Sequence, residues 1–168
     1  DGREKLLERL NLAFKATKTA IWDWDIENNL AWSSPGNQLL FGLVNEESTD
    51  SFNIKDDDNP WVARLHRDDR ARVLRCLHDH LENDAPYEVE YRYRLPDDEY
   101  IWIRSMGQAV RTPDGRALRM VGSNSDITAQ KSAKLEAQRF REAVDNASEG
   151  VVLYDADERF VFANKRYR

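Results

Sequence analysis

The 168-residue sequence is 40% hydrophobic and 33% charged, enough apolar material for a core under a soluble surface, which excludes disordered and collagen-like chains. A net charge of −6 excludes nucleic acid as the default partner, because phosphate binding needs a basic surface. No apolar run approaches the ~20 residues of a membrane span, no signal-peptide pattern is present, and the single cysteine, Cys76, makes no internal disulfide, which fits a reducing, cytoplasmic compartment. The sequence opens at Asp1 without a methionine and stops at Arg168 just after an apolar run, so it reads as a piece of something longer.

Leu6, Leu7, Leu10 and Phe14 fall on one stripe at helical spacing among Arg3, Glu4, Lys5, Glu8 and Arg9, predicting an amphipathic helix over residues 1–14. The period then changes to two. Trp22, Trp24 and Ile26 alternate with Asp23 and Asp25, the pattern of a half-buried strand. Glu27-Asn28-Asn29 supplies a turn, and Leu30 to Ser33 returns, giving a hairpin with its aromatics on one face. Ser34-Pro35 starts a short helix through Phe41, and Gly42 is its expected stop.

Residues 45–60 are acidic and polar and read as short helical turns. Asp68 and Asp69 mark the start of a longer helix, whose stripe is Val73, Leu74, Leu77 and Leu81, and Asn83 to Pro86 ends it. Tyr87, Val89, Tyr91, Tyr93 and Leu95 then alternate with Glu88, Glu90, Arg92 and Arg94, the clearest strand in the chain. A second strand runs from Tyr100 to Val110. Pro113-Asp114-Gly115 is a hairpin turn, and Ala117 to Ser123 returns. Two strands, several helices and three strands make an α+β fold: a five-stranded antiparallel sheet with helices on one face, in which the tryptophan-rich opening strand is expected beside the Tyr100 to Val110 strand.

After Asp126-Ile127-Thr128 the pattern is helical to Ala147. Ala133, Ala137, Phe140, Val144 and Ala147 step by four and three, an alanine-rich coiled-coil seam. A second hairpin follows, Gly150 to Tyr154 and Phe160 to Ala163. An offset of 130 brings Ile21, Trp22, Trp24, Asp25, Leu30 and Trp32 onto Val151, Val152, Tyr154, Asp155, Phe160 and Phe162 without a gap: an internal repeat, each copy led by a helix.

Several of these segments, in this order, resemble the PAS family, in its subgroup with a Trp-rich first strand. They are Trp22-Asp23-Trp24-Asp25, Leu65-His66-Arg67-Asp68-Asp69-Arg70 within Trp61 to Arg70, the strand Tyr87 to Arg94, Trp102-Ile103-Arg104, Pro113-Asp114-Gly115, and Gly122 through Asp126-Ile127-Thr128. Arg67 departs from the proline usual after that histidine and affects only a local turn. The resemblance implies a PAS domain over 15–128, a helical linker over 129–147 and the start of a second, truncated PAS domain over 148–168. It also implies terminal signalling helices, a homodimer formed through them, and a covalently linked output domain of histidine kinase or cyclic-dinucleotide type. Residues 1–168 themselves are expected to be a sensory, signal-transducing module and not an enzyme. A ligand-free adaptor for protein–protein interaction, or a heme- or flavin-binding sensor, are the alternative readings.

In that family the Asp-Ile-Thr triplet couples the sheet to the output helix. Here Asp126, Ile127 and Thr128 take that place, and Asp126 and Thr128 are also ordinary helix-capping residues. Trp22, Trp24, Trp32, Phe41, Leu77, Tyr91 and Trp102 are the candidate lining of a small-molecule pocket, with plain core as the alternative. No cofactor or metal is expected. His78 and His80 lie where heme-binding relatives place an iron ligand, but at ~100° per residue both fall on the flanks of the buried stripe and read as surface histidines. His66 is expected to order the turn before the long helix. Cys76 stands outside any flavin-adduct motif. The acidic run Asp56-Asp57-Asp58, with Glu46, Glu47 and Asp50 nearby, lacks the spacing and glycine of a calcium loop and reads as solvated; an enzyme built on it, with Asp57 essential, is the remaining rival.

Overall fold

In the computed structural model, which describes residues 2–17, 19–43, 48–56 and 58–167, the period-two segments become one antiparallel sheet. Its strands are β1 (Ala20–Asp25), β2 (Leu30–Ser33), β3 (Ser48–Ser51), β4 (Tyr87–Arg94), β5 (Tyr100–Arg111) and β6 (Ala117–Asp126), in the order β3-β2-β1-β6-β5-β4. The sheet therefore has six strands where five were expected. The extra one, Ser-Thr-Asp-Ser, pairs with β2 along its edge. It has no apolar face to betray it and lies where helical turns were expected. The opening strand also has a different neighbour: β1 pairs with β6, and β6 separates it from β5.

One face of the sheet is covered by helices. These are α2 (Pro35–Leu40), α3 (Pro60–Arg64) and α4 (Arg67–Asn83), and each begins on a side-chain cap. Ser34 Oγ accepts from Asn37 N–H, Asn59 Oδ1 from Trp61 and Val62 N–H, and His66 Nδ1 from Asp68 N–H, while Pro35 and Pro60 occupy first-turn positions where no N–H is needed. Val73 and Leu77 of α4 pack on Tyr87, Val89, Tyr91, Tyr93, Ile103 and Met120 from the sheet, and this layer is the core.

A row of residues across the sheet shapes that core. Trp22 is opposite Gly122, Gly122 opposite Gly107, and Gly107 opposite Tyr87. A Cβ on Gly122 would collide with the Met106 carbonyl oxygen and the Trp22 indole, and one on Gly107 would meet the indole's far edge and the Met120 methyl. The two glycines thus leave the space in which the indole lies across two strands and meets Tyr87 edge-on at 6.3 Å.

At the other edge, Asp69 ties α4 to β4. Its carboxylate accepts from Arg92 N–H (3.0 Å), Nε (2.9 Å) and the second guanidinium nitrogen (3.0 Å). The Arg92 side chain is the main reason the Asp69 carboxyl is pulled down to about 2, against the opposing effect of its burial.

The N-terminal helix α1 (Gly2–Thr17) exposes Leu6, Leu10 and Phe14; the Leu7 side chain lies outside the described residues, as do Glu46, Glu47 and Asp57. The chain divides into two units, Asp1–Thr128 and Ala129–Arg168. The second holds nearly all of α5 (Thr128–Asp145) and the hairpin β7 (Val152–Tyr154) with β8 (Phe160–Ala163). Its hairpin repeats the first at hydrogen-bond level. Ile21 and Ser34 exchange backbone N–H for Ser34 Oγ and Ile21 O at 3.0 and 2.9 Å, and Asn37 N–H donates back to Ser34. With 130 added, Val151 and Asn164 make the same exchange at 2.9 and 3.0 Å, and Tyr167 N–H donates back to Asn164.

Two expectations follow from the packing. Gly122→Ala lowers the urea-unfolding free energy by about 1–3 kcal/mol, and Gly107→Ala by less, because the first meets a backbone oxygen and the body of the indole while the second meets only side-chain atoms at 2.8–3.0 Å; equal losses would show that the indole does not lie on Gly122. For Asp69, a folded-state value below the unfolded one (~3.9) means stabilisation that is complete above about pH 4 and lost as the pH falls toward 2. Asp69→Asn should therefore cost about 2 kcal/mol near neutral pH and progressively less in urea titrations down to about pH 2.

Candidate functional site

Between the helices and the sheet is a cavity of about 310 Å³. β1 supplies Trp22 and Trp24, β6 supplies Met120 and Asn124, and β4 supplies Tyr87, Tyr91 and Tyr93. Phe41, Phe52, Trp61 and Leu77 close it from the helical side. The aromatic rings meet mainly edge to face: Trp24 with Phe52 at 5.4 Å, and Trp61 with Tyr91 at 5.9 Å, the arrangement their quadrupoles favour. Burial pushes the Tyr87 and Tyr93 hydroxyls up to about 12, and raises Tyr91 well above its ordinary value for the same reason. The interior is thus a low-dielectric space in which these phenols stay neutral.

Of the seven candidate lining residues, the fold brings Trp22, Trp24, Phe41, Leu77 and Tyr91 to this cavity. Trp32 and Trp102 are not part of it. Trp32 is opposite Asp23, so it shares a sheet face with Asp23 and not with Trp22 and Trp24: the four-residue turn sets a register in which Ala31 and Ser33 face inward instead. The hairpin aromatics therefore do not share one face. Trp102 is opposite Arg92 and lies on the outer face, with the Arg92 guanidinium 5.4 Å from its ring centroid.

Sequence reasoning passed over Asn37 and Asn124, which are 3% and 4% exposed. Asn37 Nδ2 donates to Ser33 Oγ (3.0 Å) and Asn124 Nδ2 to Asn37 Oδ1 (2.8 Å), joining α2 to β6 inside the core. The available signal was parity: Met120, Gly122 and Asn124 alternate along β6 on the inward face, where an amide is out of place unless it has a partner.

The exit of β6 is held by a compact set of hydrogen bonds. Ile127 N–H donates to the Trp102 carbonyl and Trp102 N–H to Thr128 Oγ1, both at 2.9 Å. The Thr128 hydroxyl in turn donates to Asp126 Oδ1 (2.5 Å), which also accepts the Thr128 N–H (2.8 Å). Ile127 is buried. Asp126 and Thr128 thus satisfy the first free amide of α5 and the N–H of Trp102 near the start of β5.

His80 is a correction. It is 1% exposed, because Val73, Leu77 and His80 fall at i, i+4 and i+7 and so share the buried stripe. Ala109 N–H donates to its Nε2 (3.0 Å), and its Nδ1 is 2.5 Å from the Ala85 carbonyl, so the neutral ring with its proton on Nδ1 has both nitrogens engaged. His78 is exposed, and Cys76 is half-buried with its sulfur 4.0 Å from the Pro86 carbonyl. Asp56 and Asp58 are exposed, and among the described residues no three acidic, histidine or cysteine side chains gather as a metal site.

Two family models match the chain, one described as PAS fold over residues 39–124 and one as PAS domain over 138–168. The chain is 29% identical over 171 residues to the non-motile and phage-resistance protein of Caulobacter vibrioides, covering 95% of this chain and 19% of that protein. It is 26% identical over 166 residues to the probable diguanylate cyclase DgcE of Escherichia coli, covering 96% and 14%. The chain therefore spans less than a fifth of either relative. Among solved structures, a sensory box histidine kinase/response regulator from Burkholderia thailandensis superposes with a TM-score of 0.67 at 31% identity, over 83% of this chain and 99% of that one. With its sheet, helical cover and matched segments, the chain belongs to the PAS family.

Proposed function

We propose that this chain is the sensing and relay segment of a larger signalling protein, with the cavity as receiver and Asp126-Ile127-Thr128 as transmitter. The observation that carries the reading is the bonding at the exit of β6, which couples the end of the sheet to the first turn of α5 through side chains that a plain strand-to-helix connection does not need. Asp69, Arg92 and Trp102 add a second line of contact from α4 around the sheet edge to the same exit. Ligand or partner contact that favours one arrangement of β6 over another shifts α5 by the difference in free energy between the two.

The Burkholderia relative is a histidine kinase/response regulator and the Escherichia coli one is named a diguanylate cyclase; an output enzyme of one of these kinds is what this segment would control, without catalysing anything itself. It works as a homodimer through its terminal helices. α1 exposes Leu6, Leu10 and Phe14, and α5 exposes Ala133, Ala137 and Phe140, stripes that suit pairing with a second copy. No described helix is long and apolar enough to cross a membrane, which fits a module working in the cytoplasm.

Asp126→Ala removes a helix cap worth about 1 kcal/mol, so its domain should still fold and melt only slightly earlier. In the full-length protein the same change should abolish the response of the output activity to stimulus; normal switching would refute the transmitter role. Single cysteines placed along 130–147 in a Cys76→Ser background should crosslink between copies in a pattern that changes between signalling states. Identical patterns in both states would rule out movement of α5.

A further inference from the structure

α5 is held at its two ends and exposed between them. Its first turn is tied to β5 by the Thr128 bond to Trp102, and none of its residues is buried, those from 132 to 143 being exposed throughout. At the far end it meets the second hairpin on one face, because Arg141, Val144 and Asp145 stand at i, i+3 and i+4. The Arg141 guanidinium lies 5.9 Å from the Phe162 ring centroid, and the Asp145 carboxylate accepts the Lys165 N–H at 3.2 Å. Between these two contacts the Val144 carbonyl accepts from Asn164.

Asn164 is fully buried, and both ends of its amide are engaged. Oδ1 accepts from the N–H groups of Val151 (2.9 Å) and Tyr167 (3.2 Å), while Nδ2 donates to the carbonyls of Val144 and Glu149, both at 2.9 Å. Those two carbonyls bracket the connection between α5 and β7. Residues 146–151 hold no helix or strand, so alone they would take up a tilt of α5 by changing their backbone angles. With Val144 and Glu149 on one NH2 group, a tilt must break a hydrogen bond in a site closed to water. Ser34 takes the equivalent place in the first hairpin and accepts the equivalent N–H groups. A hydroxyl, however, has one proton to give where the amide has two, and among the described residues Ser34 is bonded to β1 and α2 alone. There the carbonyl corresponding to Val144, that of Phe14, accepts the Thr19 N–H instead, at 3.1 Å.

We infer that Asn164 is a clamp that makes the end of α5 and the hairpin β7–β8 one body, so that a displacement of α5 enters the second domain through this side chain and is not lost in residues 146–151. The inference rests on the reading of α5 as the relay and names where its motion is delivered. Ser34 gives the first hairpin no such grip on α1. Asn164 is a positioning residue: it acts by fixing the helix against the returning strand.

Nitroxide labels at Ser132→Cys and Val161→Cys, in a Cys76→Ser chain diluted with unlabelled copies, read the helix against the hairpin by pulsed electron spin resonance. Ser132 serves because a tilt about the clamp is largest far from it. With Asn164 in place the labels should give one narrow distance. Asn164→Ser, which copies Ser34, and Asn164→Asp, which keeps an acceptor but turns an oxygen toward the Val144 and Glu149 carbonyls, should each lose that distance for a broad spread. Hydrogen exchange at the Val151 N–H should stay slow in Asn164→Ser, because the hairpin bond persists there as it does at Ile21. In the full-length protein both variants should lose the response of the output to stimulus. A broad spread with Asn164 in place, a narrow one in both variants, or loss of Val151 protection in both, which would make Asn164 an ordinary support of the hairpin, would overturn the inference. Normal switching in Asn164→Ser would do the same, and Asp126→Ala then tells the two readings apart: if that variant is blocked the relay stands and only the clamp falls, whereas if it also switches the relay falls too.

Discussion

The placement of β6 between β1 and β5 governs everything else in the first unit. It sets Gly122 beneath Trp22 and Gly107 beyond it, so a full indole can lie where a side chain at either glycine would otherwise stand. The indole and Tyr87 together span the sheet, and the helices must cross above them. A cavity results because a flat floor of this width cannot be matched by the short helices α2 and α3 and the single stripe of α4. Shift β6 by one residue and the glycines, Met120 and Asn124 all turn outward together, removing floor, wall and buried amide at once.

How far such an arrangement can be read in advance depends on the kind of signal each segment carries. β4 was plain because four buried apolar residues alternate with four charged ones, and α4 because its aliphatic stripe is flanked by strong polar positions. β5 begins Tyr-Ile-Trp-Ile, apolar on both faces, so periodicity leaves open which side Trp102 takes; only its pairing with Arg92 decides. Trp32 depended on a turn length that shifts register by a single residue. β3 is entirely polar and exists because the edge of β2 offers it hydrogen bonds, a tertiary cause invisible to local pattern. His80 shows the opposite error: a stripe drawn through Val73, Leu74, Leu77 and Leu81 puts His80 on its flank, whereas Leu74 and Leu81 are only half-buried and the buried line runs through Val73, Leu77 and His80.

The repeat was legible as aligned aromatics, but the structure shows what the alignment preserves. Ser34 and Asn164 differ as residues and yet each offers one side-chain oxygen to the N–H of the strand residue 13 positions earlier and to the N–H three positions later. The common requirement is a short acceptor at the point where the returning strand turns away, which serine and asparagine both supply. Asn164 goes further. Its amide nitrogen donates to the carbonyls of Val144 and Glu149, so within the second unit the hairpin is fastened to the end of α5 by one fully buried side chain.

The pairing pattern also distinguishes Asn124 from Asp126. On the β1 side the ladder along β6 ends at Asn124, opposite Ala20, while on the β5 side it continues to Asp126, opposite Ile103. Asn124 is therefore the last residue of β6 gripped from both sides, and the two residues after it are held from β5 alone. Asn124 thus stands at the boundary between a doubly paired stretch of β6 and a singly paired exit. Under the relay proposed above, a shift at that boundary would meet less resistance toward the Asp126–Thr128 bonds than one at Met120, four residues earlier, where β6 is paired on both sides.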